Sequence, residues 1–171
     1  MVNSIKYACA AVALTIAGTA VQAANIVEIA ASDGRFETLV AAVTAADLAG
    51  TLSGPGPFTV FAPVDDAFAA LPEGTVETLL KPENKGKLTD VLLYHVDDRK
   101  LTSSDLPYRS IPIKPILASN RLCVTASSGG VTIADGTGEM ANVVIADIMA
   151  DNGVIHVVDK VLLPVDRPKC H

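Results

Sequence analysis

The chain has 171 residues, half of them apolar, with 13 basic and 19 acidic side chains. That length supports one domain with a full core. It has no basic run and no tryptophan, which excludes a nucleic-acid binder built on phosphate contacts and advertises no stacking surface for bases or sugars.

At the N-terminus, Lys6 precedes an apolar run, Tyr7 to Ala17, and a tail of small residues from Gly18 to Ala24. Val21, Gln22 and Ala23 fit a small-x-small cleavage site, so residues 1–23 are read as a secretory signal peptide cut after Ala23. The run is too short and alanine-rich for a transmembrane helix, which needs about 20 apolar residues. No other stretch is long enough, so no integral membrane span is expected in the mature chain. Loss of Lys6 leaves 12 basic against 19 acidic side chains, a net charge of −7. The mature chain is expected to be exported: periplasmic, on the cell surface or secreted. Two cysteines remain, Cys123 and Cys170. An even number in an exported chain favours a disulfide, which would staple the tail (165–171) to the body and stabilise it by roughly 2–4 kcal/mol. Two unpaired thiols are the alternative, since spacing alone does not show proximity.

A short helix is expected from about Asn25, broken at Asp33-Gly34. Phe36, Leu39, Val40 and Val43 then form one apolar helical stripe. Asp47 is expected to cap a further short turn through Leu52. Gly54-Pro55-Gly56-Pro57 forbids regular structure. Phe58 to Ala62 reads as a strand, ended by Pro63. Asp65 and Asp66 open a helix, where their carboxylates can accept from free N–H groups and oppose the dipole. Pro72 stops it. Helical segments follow over about Thr75–Leu80 and Lys85–Leu93. The last third reads as strands: Arg121–Ala126, Val131–Ala134, Asn142–Met149 and Gly153–Leu163. Asp135-Gly136 and Asn152-Gly153 between them supply the positive φ values of tight hairpins. Val154 to Val158 is apolar on both faces except for His156, as in a central covered strand. Helices first and hairpins later give an α+β domain.

Three segments together resemble the fasciclin domain family: Phe58-Thr-Val-Phe-Ala-Pro-Val-Asp-Asp-Ala-Phe-Ala-Ala-Leu71; Leu92-Leu-Tyr-His-Val96, similar to the family's tyrosine–histidine motif; and Asn152-Gly-Val-Ile-His-Val-Val-Asp-Lys-Val-Leu-Leu-Pro164, similar to its second conserved block. The resemblance covers about Asn25 to Pro164, giving a fasciclin-like domain over residues 24–164. It implies a wedge-shaped β-sandwich with a bundle of short helices at one side. One departure is Val64, which stands where a threonine is common; Asp65 is expected to take over its capping role.

The resemblance also implies adhesion or matrix contact by surface binding. It assigns receptor binding to Tyr94 and His95 and to an Asp-Ile pair, here Asp147 and Ile148. Against that, Tyr94 and His95 follow an apolar helix at the start of a strand and fit core positions with satisfied polar atoms. Asp147 fits either an exposed strand end or a cap on a neighbouring loop. Asp65, Asp66 and His156 are read as structural, His156 as a hydrogen-bonded core residue.

No zinc-like spacing links His95, His156 and His171, and no metal or cofactor is expected. No G-x-S-x-G elbow or phosphate loop is present. Asp65 and Asp66, adjacent on a helix, diverge by about 100° rather than facing one substrate. The expectation is a non-catalytic module that meets a protein or glycan at the cell surface or matrix. The alternative is a carrier of a small apolar ligand such as a carotenoid or lipid, as some members of the family are.

Overall fold

The computed structural model describes residues 24–117, 119–165, 168 and 170; the expected signal peptide and His171 lie outside them. The helical part consists of α1 (Ile26–Ser32), α2 (Glu37–Ala45), α3 (Ala49–Leu52), α4 (Asp65–Ala69), α5 (Thr75–Leu80) and α6 (Lys85–Tyr94). The strands are β1 (Phe58–Pro63), β2 (Val96–Asp97), β3 (Ser110–Ile113), β4 (Leu122–Ser127), β5 (Gly130–Ala134), β6 (Met140–Ala150) and β7 (Gly153–Val158). They form one mixed sheet in the order β2-β1-β7-β6-β5-β4-β3. Only β1 and β7 pair in parallel, with Phe61 opposite His156. The α+β reading holds. β6 joins two half-sheets: its first residues pair with β5 and the remainder with β7 across register shifts.

Side-chain alternation on β1 and β7 divides the interior in two. Val60, Ala62, Ile155 and Val157 enter a core shared with α1, α2, α3 and α6. Phe61 and Val158 enter a second core with Tyr94, Leu122, Val124 and Ile133. A period of two places neighbours on opposite faces, so the β1–β7 pair is a wall common to both cores. Every residue of β7 is buried, as expected of a central strand.

The expected loop and cap chemistry differs in detail. Asp65 does not cap its own helix: Val64 stands at that N-cap without a side-chain bond. The Asp65 carboxylate accepts the Thr38 N–H at 2.8 Å and the Glu37 N–H at 3.3 Å. It therefore caps α2, whose own N-cap, Phe36, has no side chain to do so. Asp66 lies exposed in the first turn of α4, where its charge opposes the dipole. Asp47 does not cap α3, which follows Leu48; it sits at φ 57° and pairs with Lys85.

Neither Gly136 nor Gly153 has positive φ; the hairpins use Gly130 (φ 122°) and Gly138 (φ 83°). Gly153 is needed for a different reason: a Cβ there would lie 2.0 Å from the Phe58 carbonyl oxygen. Asn152 beside it joins the β6–β7 turn to two other segments. Its Oδ1 accepts the Ile26 N–H at 3.0 Å, and its Nδ2 donates to the carbonyls of Leu52 and Gly54 at 2.6 and 2.9 Å.

β3 was not foreseen. It holds Pro112 and lies at the sheet edge, the position where a strand tolerates a residue without an N–H. The last strand ends at Val158 rather than Leu163, because the Leu162 and Leu163 N–H groups are taken by the His95 ring and the Asp135 carboxylate instead of a ladder.

Candidate functional site

The tyrosine–histidine pair sits where α6 ends. Tyr94 is its last residue and His95 its C-cap, so the pair closes a helix rather than opening a strand; β2 begins at Val96. The two rings face different interiors. Tyr94 is completely buried in the second core, where its hydroxyl donates to the Arg121 carbonyl at 2.6 Å. Burial first, and the nearby Asp135 carboxylate second, push its pKa above the ordinary tyrosine value.

His95 borders the first core. Its Nε2 accepts the Leu162 N–H at 2.9 Å. Because an amide N–H only donates, the ring proton resides on Nδ1, which donates to the Val91 carbonyl at 2.7 Å. Both ring nitrogens are occupied and the imidazole is neutral. Burial drives the pKa down to about 4, against the opposing pull of the Val91 carbonyl and the Asp135 carboxylate.

Asp147 and Ile148 lie in the irregular middle of β6. Asp147 adopts φ 59°. Its carboxylate accepts the Ser103 N–H at 2.8 Å and a short hydrogen bond from the Ser103 hydroxyl. Burial alone would raise its pKa, but these two bonds outweigh it and hold the carboxyl below the usual range. Asp147 thus fastens the turn at Ser103–Asp105 to the sheet. Ile148 is half-buried, opposite Ile155, and packs against the first core.

His156 completes this network. Its Nδ1 accepts the Asp147 N–H at 3.3 Å, so its Nε2 carries the proton and donates to the Leu101 carbonyl at 2.7 Å. The ring stacks on Phe61 with centroids 5.7 Å apart. Cys123 and Cys170 are joined by a disulfide with Cα atoms 5.4 Å apart.

Sequence reasoning missed three polar fasteners. Thr59 is fully buried; its hydroxyl donates to the Arg99 carbonyl at 2.5 Å and accepts the Leu101 N–H at 2.8 Å. Asp97, also fully buried, is held by both Nε and Nη2 of Arg99 at 2.9 and 2.8 Å. Asp135 accepts from Thr137 and from the Leu163 N–H. Thr59 and Asp135 reach far along the chain, to Arg99, Leu101 and Leu163, where no spacing rule points. Asp97 and Asp135 also bond residues two positions on, Arg99 and Thr137, the local pattern of an Asx turn.

Among the described residues, no buried side-chain nitrogen or oxygen lacks a hydrogen-bond partner, and no group of three or more His, Cys, Asp or Glu side chains could hold a metal ion. No described helix is long and apolar enough to cross a membrane. A small apolar cavity of about 30 Å³ lies inside the first core, bordered by Val43, Leu92, His95 and Ile155.

Residues 34–164 match the family model described as Fasciclin domain. The chain belongs to the fasciclin domain family. This fasciclin domain is 51% identical over 142 residues to Protein sll1483 of Synechocystis, covering 83% of this chain and 74% of that one. It is 49% identical to the uncharacterized protein sll1735 of the same organism, covering 81% and 97%. Against transforming growth factor-beta-induced protein ig-h3 of Sus scrofa it is 38% identical over 82% of this chain but only 19% of that protein. In three dimensions it resembles a solved structure described as a FAS1 domain pair from the insect cell adhesion molecule Fasciclin I, with TM-score 0.72 and 20% identity, covering 82% of this chain and 51% of that one.

Proposed function

We propose that this fasciclin domain is an exported, non-catalytic binding module that contacts a protein or matrix partner through its outer surface. One observation carries the reading. The polar atoms of Tyr94, His95, Asp147 and His156 are spent inside the chain, while Met140, Val144, Ile145 and Met149 of β6 stand exposed. Side chains engaged in this way serve to fasten the fold. Exposed apolar side chains gathered on one strand are a feature of contact surfaces. The fold neighbour's description as a cell adhesion molecule agrees with this reading.

The roles of Tyr94, His95, Asp147 and Ile148 follow from it. They support the contact surface from within, and the partner meets other residues. The cavity beside His95 bears on the carrier alternative. At about 30 Å³ it is some ten-fold below the ~300–1,000 Å³ of small-molecule pockets, too small for a carotenoid or a lipid chain.

The test is retention of the purified chain on an immobilised native envelope fraction, with mass spectrometry of small molecules that co-purify. Saturable retention by a colourless, ligand-free protein supports the module. A stoichiometric apolar compound in the purified protein contradicts it.

A further inference from the structure

The sheet splits on one side of β6, and the split has the chemistry of a strand acceptor. β4 and β5 stay paired as far as Ser127 opposite Gly130. The β5–β6 ladder stops earlier, at Thr132 opposite Asn142, although β6 runs on to Ala150. Val144 and Ala146 have no registered partner in β5 or in β7. The two strands diverge around a groove of about 420 Å³. Gly130 and Val131 form one wall, Val144 and Ala146 the other, and Leu106 and Tyr108 approach from the neighbouring loop. Tyr108 is 84% exposed and Val144 55% exposed. Among the described residues, no Asp, Glu, Lys or Arg lines the groove, in a chain with 32 such residues counted from 13 basic and 19 acidic.

We propose that this groove binds an extended, uncharged peptide segment of a partner protein, which adds as a strand alongside the unmatched part of β6. The inference rests on the binding-module reading and names its surface. Two features select this occupant. Strand residues without ladder partners present backbone N–H and C=O groups that an extended peptide satisfies and a hydrocarbon ligand would strip of water at a cost. The uncharged lining offers no counter-ion, so a charged segment would be desolvated without compensation, whereas alternate apolar side chains of a strand reach Val144 and Tyr108.

The probe is a display library of linear eight-residue peptides, panned against the full chain. Binders are expected to alternate apolar and polar residues without internal proline. In the best binder, N-methylation of alternate amides should weaken binding at least ten-fold, while methylation of the intervening amides leaves it intact. Val144→Asp and Tyr108→Ser, both at exposed positions, should each weaken it at least ten-fold with unchanged melting. Binders indifferent to both substitutions, or to every N-methylation, overturn the proposal, as does displacement of the peptide by an apolar dye with higher affinity. Concentration-dependent dimerisation that Val144→Asp abolishes also overturns it, since a second copy is then the occupant. If Val144→Asp keeps full retention on the envelope fraction, this groove is not the surface used and the binding-module reading survives. If neither protein is retained there, that reading fails, whatever the peptide result.

Discussion

The His95 imidazole accepts the backbone N–H of Leu162, 67 residues further along the chain, at 2.9 Å. A motif that the family resemblance assigns to partner contact is here a fastener between the end of α6 and the segment after β7. Its neighbour Tyr94 bonds the Arg121 carbonyl on the opposite side of the β1–β7 wall. Two adjacent residues thus reach into two cores, and the predictions follow from that arrangement.

The first concerns pH. The His95 pKa is about 4 in the folded chain against an ordinary 6.5. Below pH 6.5 the unfolded chain takes up a proton that the folded chain refuses, so stability is full above that value. It falls as pH drops from 6.5 to 4, by about 3 kcal/mol. Urea titrations at pH 7, 5.5 and 4 should show this loss, and His95→Gln should flatten its slope by about one proton.

Tyr94→Phe removes only the hydroxyl and leaves the Arg121 carbonyl short of a buried donor. The expected cost is about 1–2 kcal/mol, read as a lower urea midpoint with the slope unchanged.

Glycine substitutions should separate backbone contact from backbone freedom. Gly153→Ala drives a methyl against the Phe58 carbonyl, and about 3 kcal/mol or more should be lost. Gly86→Ala, within α6 and with nothing within 4 Å, should gain about 0.5–1 kcal/mol. Thermal melts of the two variants should shift in opposite directions.

Asp65→Ala uncaps α2 and should cost about 1–2 kcal/mol. Asp66→Ala, at an exposed position, should change stability by less than about 0.5 kcal/mol. Chemical denaturation of both variants checks the asymmetry; equal losses would mean that Asp65 caps nothing outside its own helix.

Much of the fold was legible because local rules governed it. The stripe Phe36-Leu39-Val40-Val43 became α2, and the apolar run Val154–Val158 became the buried strand β7. What escaped depends on distant partners. Pro112 reads as a breaker until a sheet edge lies beside it. Asn152-Gly153 looks like a positive-φ turn, yet the glycine answers to the Phe58 carbonyl and the asparagine to Ile26, Leu52 and Gly54. Asp65 was recognisable as a cap, but not as the cap of another helix. At the motif positions, sequence left contact and core roles open for Tyr94 and His95, since only the tertiary fold brings Arg121 and Leu162 to their polar atoms. The split beside Val144 left no sequence signal, because it is set by where the β5–β6 ladder stops, at Thr132 opposite Asn142, and not by the composition of β6.

Thermal unfolding of the Tyr94→Phe, His95→Gln double variant at pH 7 tests the fastener role most directly. The account predicts a midpoint about 10 °C or more below that of the unaltered chain. A midpoint within about 2 °C of it would show that both side chains are dispensable to the fold and return them to the list of partner contacts.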